Sequence, residues 1–378
     1  MATAVVTDCI TARADLPHPG PQRSDLLLQN LGTSAAAVNL LCSPADGGVR
    51  QRRDLGRRLP PRGWQRVPAA ELAPQSAGAW AGSATVLATQ PLAPLAEVQW
   101  DYPAGPRTAA AYAAQEAPAT VAYVPLVAAL DGRLTLLTVH NAEAAAASVT
   151  LRFCDRHGAE RLVYEATVPA HGERTFSLAE LQPDLAATGG LGTARVTADR
   201  QVAVLAGLHW AEASEAYPAA PAGQMTLWLP GLYRRQTEAG WDYGEATVQN
   251  AGPLTATVHV EFLNPDGSLA HALDDAIAPA GAVAYNTREQ GTLDPAAWQA
   301  LVAALGDDWQ GTVQVASTNG QPLVGLALVW QAGIADNLAY GAAPVGERLA
   351  FPAVYRRLAG GAGEQWSAAL IHNTGAVT

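Results

Sequence analysis

The stretches LLLQNLGTSAAAVNLLC, LLTVHNAEAAAASVTLRFC and EATVQNAGPLTATVHVEF share one layout: an apolar strand, an asparagine, a turn of small residues and a second apolar strand. Their asparagines, Asn30, Asn141 and Asn250, stand 111 and 109 residues apart. This step constrains the fold more than any other feature, because each repeat must be a structural unit that recurs along the chain.

Other markers keep the same step. GSATVLAT, GTARVTAD and GTVQVAST begin at Gly82, Gly192 and Gly311, and each leads into an apolar strand ending at Trp100, Trp210 or Trp330. PPRGWQRV, PAHGERTF and PAGAVAY supply a matching Pro/Gly turn near residues 60, 169 and 279. The repeat divides the 378 residues into unit one over 1–118, unit two over 119–224 and unit three over 225–345. Over 346–378 the first two strands of an incomplete fourth unit follow: FPAVYRR at 351–357 repeats LPGLYRR at 229–235, and WSAALIHNTG repeats WDYGEATVQNAG.

Within a unit about seven short strands alternate or run apolar, and 26 prolines and 35 glycines lie scattered between them. That texture predicts an all-β fold of tandem immunoglobulin-like Greek-key β-sandwich units, each of roughly 100 residues. Short helices are expected in one inter-strand connection. In LDPAAWQALVAALGDDW, Asp294 caps, Pro295 takes the first helical position, Trp298, Leu301, Val302 and Leu305 form one face, and Gly306 ends the helix. PAAELAPQ and SLAELQPDLA are its shorter counterparts. With 49% hydrophobic residues each unit can bury its own core, so three in tandem predict a rod of beads. This architecture resembles, across the whole chain, the tandem sandwich repeats of bacterial cell-surface, stalk and filament proteins. The resemblance implies a non-enzymatic structural role at the cell exterior and carries no site residues.

LNPDGSLAH at 263–271 suggests a calcium loop, with Asn264, Asp266 and Ser268 at alternating positions. The sister units place Asp46-Gly47 and His157-Gly158 at the same point, so only the glycine is common. NPDGS also lacks the downstream bidentate Glu of a full calcium loop. A tight hairpin connection needs the positive φ that glycine supplies, and the stretch reads as a turn.

Most site chemistry is excluded by residue type. All 23 basic residues are arginine, so a phosphate loop of the GxxxxGK type, a Schiff-base amine and a Lys–Asn crosslink have no lysine to use. GxSxG and HExxH are absent, and GGLG at 189–192 and GGAG at 360–363 complete no dinucleotide fingerprint. Three cysteines without CxxC spacing point away from zinc; Cys42 and Cys154 read as buried thiols, and Cys9 is within reach of Cys42 in unit one. No cofactor is expected. His140 and His372 stand where sister units have Gln29 and Gln249, which favours a hydrogen-bonding role over catalysis. Trp100, Trp210 and Trp330 either pack or offer stacking platforms for sugars, and their fixed place at a strand end favours packing. No run reaches the roughly 18 apolar residues of a membrane span. MATAVVTDCI shows no secretion leader, so an exported location carries no visible export signal.

Charge is distributed unevenly: +1 for unit one, −4 for unit two, −9 for unit three and +1 for the tail, summing to −11. Seven arginines crowd residues 50–66, including Arg50, Arg52, Arg53, Arg57 and Arg58, while Asp307 and Asp308 mark an acidic unit three. Tyr233 with Arg234 and Arg235, and Tyr355 with Arg356 and Arg357, read as a repeated, exposed contact between units. Together these residues predict head-to-tail self-association into a filament, coat or spacer. Nucleic acid is not an expected partner for so acidic a chain, although the basic patch suits an anionic surface glycan. The competing reading is an adhesin or carbohydrate-binding surface module, and an enzyme accessory domain is a third.

Overall fold

The structure is a computed structural model that describes residues 2–11, 22–72, 80–101, 107–129, 132–210, 213–332, 338–342, 356–359, 363–366, 371 and 373–374. Its regular structure is almost entirely antiparallel strand. Unit one holds β1 (Ala2–Thr11), β2 (Gln22–Asn30), β3 (Ala36–Pro44), β4 (Gln51–Leu59), β5 (Trp64–Val67), α1 (Ala69–Leu72), β6 (Trp80–Ala88), β7 (Leu92–Asp101) and β8 (Arg107–Ala113). They form two layers, β1-β6-β3-β4 and β5-β2-β7-β8.

Unit two repeats this order with β9 (Ala119–Ala128), β10 (Leu134–Asn141), β11 (Ala147–Asp155), β12 (Glu160–Val168), β13 (Glu173–Ser177), α2 (Leu178–Leu181), β14 (Leu191–Trp210) and β15 (Ala213–Pro218). Here β14 does the work of two strands. Its first half pairs with β9 and β11 in one layer, and its second half pairs with β10 and β15 in the other. Unit three comprises β16 (Thr226–Thr237), β17 (Gly240–Asn250), β18 (Ala256–Leu263), β19 (Leu269–Ile277), β20 (Ala282–Asn286), α3 (Pro295–Leu305), β21 (Asp308–Ser317), β22 (Leu323–Trp330) and β23 (Leu338–Gly341). Each unit is thus an eight-stranded two-layer sandwich, one strand more than the turn count predicts. In the immunoglobulin constant-type order the first strand joins the second and the last joins the sixth. Here those outer strands exchange places: β1 lies beside β6, and β7 beside β2.

The asparagine that marks the repeat has a structural task. Asn30 is fully buried; its amide donates to the Ser34, Leu59 and Pro60 carbonyls, and its Oδ1 accepts from Gly32 N–H. Asn141 and Asn250 make the equivalent bonds to Ala145 and Pro169, and to Leu254 and Ile277. One side chain therefore forms an Asx turn and ties the end of the fourth strand to it, satisfying backbone groups that the bend leaves unpaired. The helix of unit three follows its sequence signals. Asp294 accepts from Ala296 and Ala297 N–H, Leu301 and Leu305 are buried, and Gly306 follows at φ 67°.

A rod of separate beads does not describe the packing. In β7 burial alternates, as for a sheet with one wet face. In β14 every residue from Val202 to His209 is buried, and in β22 every residue from Leu323 to Val329. Both faces of the second layer are covered in units two and three, and the hydrophobic clusters run across the joints. Leu205 and Ala216 of unit two belong to the core of unit one, and Leu326, Leu328 and Ala339 of unit three to that of unit two.

Two further strands, β24 (Arg356–Ala359) and β25 (Gly363–Trp366), form a hairpin in the tail. Arg356 pairs with Trp366 and Arg357 with Gln365, which repeats the pairing of Arg234 with Tyr243 and Arg235 with Asp242 in β16 and β17.

Candidate assembly interface

The joints between units repeat along the chain, and they are built from turns. In unit one the β3–β4 turn places Gly47 at φ 77°, and its Ala45 carbonyl accepts a hydrogen bond of 3.0 Å from Glu173 N–H at the start of β13. In unit two the β11–β12 turn places Gly158 at φ 83°, and its Arg156 carbonyl accepts 3.0 Å from Ala282 N–H at the start of β20. The same turn of one unit therefore docks on the same strand start of the next.

Glycine is required on both sides of this contact. A Cβ on Gly47 would meet Pro169 Cβ at 2.5 Å, and one on Gly158 would lie inside the contact radius of the Pro279 carbonyl oxygen. Opposite them, a Cβ on Gly172 would meet the Ala45 carbonyl oxygen at 2.8 Å, and one on Gly281 the Arg156 carbonyl oxygen at 2.9 Å. Preceding these receiving glycines, His171 and Ala280 take left-handed φ values of 52° and 59°, as Arg62 does at 61° in unit one. Such a conformation costs an L-residue about 1–2 kcal/mol, and three such turns at equivalent points mark a shape worth keeping.

A hydroxyl completes each joint. Ser83 Oγ donates to the buried Glu173 carboxylate, and Thr193 Oγ1 donates to the Ala280 carbonyl at 2.6 Å. Both follow the repeated glycines, Gly82 and Gly192, which must stay bare because the carbonyls of Ser43 and Cys154 press against them.

The first joint also gathers titratable groups. Arg50 Nη1 lies 3.3 Å from His171 Nε2, and His140, 1% exposed, is the cross-strand neighbour of Glu173. Burial, reinforced by the positive charge of Arg50 and by His171, pushes the His140 imidazole down to about 3. His171 is lowered by burial and Arg50 as well. His140 is therefore a neutral, buried imidazole at the position of Gln29 and Gln249, and its Nδ1 has no hydrogen-bond partner among the described residues. His372 lies outside the described residues.

The sequence-predicted contact residues separate. Arg50 enters the first joint, while Arg52 donates to Asn39 Oδ1 within its own sheet. Arg53 and Arg58 lie along β4 opposite Leu40 and Ala37, and Arg57 is placed only as backbone in that strand. Tyr233 is not exposed: it is buried in the core of unit three. Arg234 donates to the Gly306 and Thr287 carbonyls and pairs with Asp307 at 3.0 Å, and Arg235 pairs with Asp242 at 2.5 Å. The Arg234–Asp307 attraction is thus used inside unit three, and Asp308 sits opposite Arg235 in the same sheet. Tyr355 lies outside the described residues; Arg356 and Arg357 are placed as backbone in β24.

The tryptophans pack. Trp100 is buried, donates Nε1–H to Gln22 and meets the His209 ring edge-on at 5.2 Å across the first joint. Trp330 stacks on Tyr243 at 4.7 Å. The strand register corrects the repeat here. Asn30, Asn141 and Asn250 pair with Leu92, Val202 and Leu323, which aligns Trp330 with His209 and Gln99, one place before Trp100 and Trp210.

A second repeated device escaped the strand pattern. Tyr112, Tyr217 and Tyr340, on β8, β15 and β23, donate their hydroxyls to the carbonyls of Thr7, Leu126 and Pro230 on the first strand of their units. The signal was present as AYAA, AYPA and AYGA. At 263–271, Asp266 Oδ1 accepts from Ser268 N–H and Oγ–H, and Gly267 N–H donates to the Asn264 carbonyl, which makes the stretch a closed turn. A cleft of about 470 Å³ at the meeting of the three units is lined mainly by Ala, Pro and Gly, with Glu116 and Tyr217 as its titratable side chains. Among the described residues no three His, Cys, Asp or Glu side chains gather for a metal, and no helix is long and apolar enough to cross a membrane.

No family model matches the chain, and no curated protein matches it. Among solved structures it is similar to Thermotoga maritima 1070, at 14% identity and TM-score 0.23, over 32% of this chain and 91% of that one. A tetra-tandem repeat in the extending region of a large adhesion protein is similar at 13% identity and TM-score 0.13, over 90% and 74%. A glycoside hydrolase family 2 β-glucuronidase is similar at 8% identity and TM-score 0.18, over 83% and 30%. At these scores the likenesses carry no argument about function, and the molecule's own repeated joint remains the feature to explain.

Proposed function

We propose that the chain is a non-enzymatic structural spacer of the bacterial exterior, in which sandwich units stack through a shared joint to hold a fixed length. The observation that carries this reading is the joint itself. A backbone bond, a glycine on each side and a hydroxyl recur at the same points twice, and the hydrophobic clusters cross both joints. Tandem domains joined by polar linkers move independently unless their interface is large and apolar. This interface suits a rigid element that bears load or sets distance.

Small-angle scattering of the full chain tests the mechanical half: one particle of fixed dimensions is expected, and a distribution of interdomain angles would refute it. Protease shaving of intact source cells tests the location, with loss of the chain from shaved cells expected and full protection counting against a surface role. The adhesin reading keeps one observation in its favour. Trp64 on β5 is 62% exposed beside the ion-paired Arg66, a flat apolar face that suits a sugar ring. On a glycan array that reading requires binding that Trp64→Ala abolishes.

A further inference from the structure

The two ends of the stack are built differently. In the layer that each unit turns toward its predecessor, unit two places Leu134, Leu136, Gly207 and His209, and unit three places Tyr243, Glu245, Leu328 and Trp330, with the Glu245 carboxylate accepting from Thr247 and Asn286 of its own unit. Unit one has Arg23, Asp25, Glu97 and Gln99 there. These groups bond among themselves: Arg66 pairs with Asp25 and with Glu97 at 3.4 Å, and Arg23 Nε donates to Gln99 at 2.9 Å. A polar, self-satisfied outer face is what the terminal unit of a stacked array requires.

Unit three shows the opposite. Its β18–β19 turn carries Pro265 at the place of Ala45 and Arg156, and Gly267, at φ 82°, at the place of Gly47 and Gly158. A Cβ on Gly267 would meet no described atom within 4 Å, whereas its two counterparts are pressed by the next unit. Thr312, after Gly311, matches Ser83 and Thr193. Leu338 on β23 is 48% exposed.

We propose that this side of unit three is a docking surface for one more sandwich of the same repeat, and that unit one closes the other end, so the stack extends in a single direction. The occupant is a unit whose second layer presents a mainly apolar face without the Arg23–Asp25–Glu97 cluster of unit one, and a glycine-ended turn before its fifth strand, its strand-start N–H donating to the Pro265 carbonyl. Residues 356–366 already repeat the β16–β17 pairing with which such a unit opens. A second copy of this chain does not fit, because its unit one would bury Arg23, Asp25, Glu97 and Arg66 against the joint. The proposal rests on the stacked-spacer reading and adds to it a direction and a partner.

The test inserts a second copy of residues 220–342 directly after Ala342, so that the connection found between Ala219 and Met225 is kept, and compares hydrogen exchange over 264–268 with the natural chain. Docking predicts that exchange of this turn slows by about tenfold or more, and that Gly267→Val in the extended chain restores the faster rate. Unchanged exchange overturns the docking surface. The cap is tested by light scattering of the natural chain and of one carrying Arg23→Leu, Asp25→Leu, Glu97→Gly and Gln99→His. The natural chain should stay monomeric and the variant should associate; association of the natural chain that Gly267→Val removes would overturn the cap. If the variant does not fold, the extended chain and the natural chain still decide both halves. A rigid three-unit chain with an open 264–268 turn refutes this proposal alone, whereas a flexible chain refutes the spacer.

Discussion

The first and second joints share a backbone and differ in side chains. Both use a carbonyl of the docking turn, Ala45 or Arg156, and an N–H of the receiving strand, Glu173 or Ala282. Around that bond the first joint collects Arg50, His140, His171, Glu173 and Ser83, while the second has Ala280, Ala282, Gln249 and Thr193. The comparison teaches that the repeat preserves the shape of the turns. The filling varies around it, and it leaves the His140 Nδ1 of the first joint and the Gln249 Oε1 of the second without a hydrogen-bond partner among the described residues. It also predicts that the two joints respond differently to the same disturbance.

The largest effect is expected from a charge placed in the covered layer. Leu326→Arg puts an unpaired guanidinium into the second joint, where Leu326 is fully buried, and should cost more than about 4 kcal/mol. Leu95→Arg, at the equivalent point on the uncovered face of unit one, should cost about 1 kcal/mol or less. Denaturant melts of both variants check the contrast, and similar losses would mean that the covered and uncovered faces are not distinct.

Between pH 7 and pH 5, acid should loosen the first joint alone. The folded pKa of His140 lies near 3, below its unfolded value of 6.5, so the unfolded state binds the proton first. Stability from this group is complete above 6.5 and is lost as pH falls from there toward 3, by about 2 kcal/mol at pH 5. His171, also lowered, acts in the same direction. His140→Gln, which installs the residue of the sister units, should flatten this dependence. Hydrogen exchange at pH 7 and pH 5 checks it, since opening confined to residues near 45–50 and 169–173 is expected and equal opening of both joints is not.

The smallest effect belongs to the hydroxyls. Thr193→Val leaves the Ala280 carbonyl without this donor and should cost about 1 kcal/mol, while Ser83→Ala removes a donor from a buried carboxylate and should cost somewhat more. Thermal melts rank the two, and the reverse order would argue that Glu173 draws little from Ser83.

The β-sandwich, its helices and its turns were legible because each follows from local chemistry. Asn30, Asn141 and Asn250, the glycines of the hairpin turns, and the Asp294-Pro295 start with its Gly306 stop all act on backbone within a few residues. The joints were not legible. Their contact is made by backbone groups of turns more than 100 residues apart, and the traces in the sequence, Gly47 and Gly158, Gly172 and Gly281, and the hydroxyls after Gly82 and Gly192, each read as ordinary turn or strand residues within their own unit. Tyr233 and Arg234 looked like surface contact residues because adjacency in sequence hides that one side chain enters the core while the other turns back on Gly306, Thr287 and Asp307. The Trp330 register was misread because the turn before β22, Thr318–Pro322, is longer than those before β7 and the second half of β14, which shifts the strand against its markers.

The docked turn is tested most directly by comparing Gly158→Ala with Gly267→Ala in the full chain. Both glycines have nearly the same φ, 83° and 82°, so the conformational cost, about 1 kcal/mol, is common to both. Only Gly158 faces the next unit, where the new methyl meets the Pro279 carbonyl. Chemical denaturation should show Gly158→Ala losing at least about 2 kcal/mol more than Gly267→Ala. Equal losses would contradict the joint.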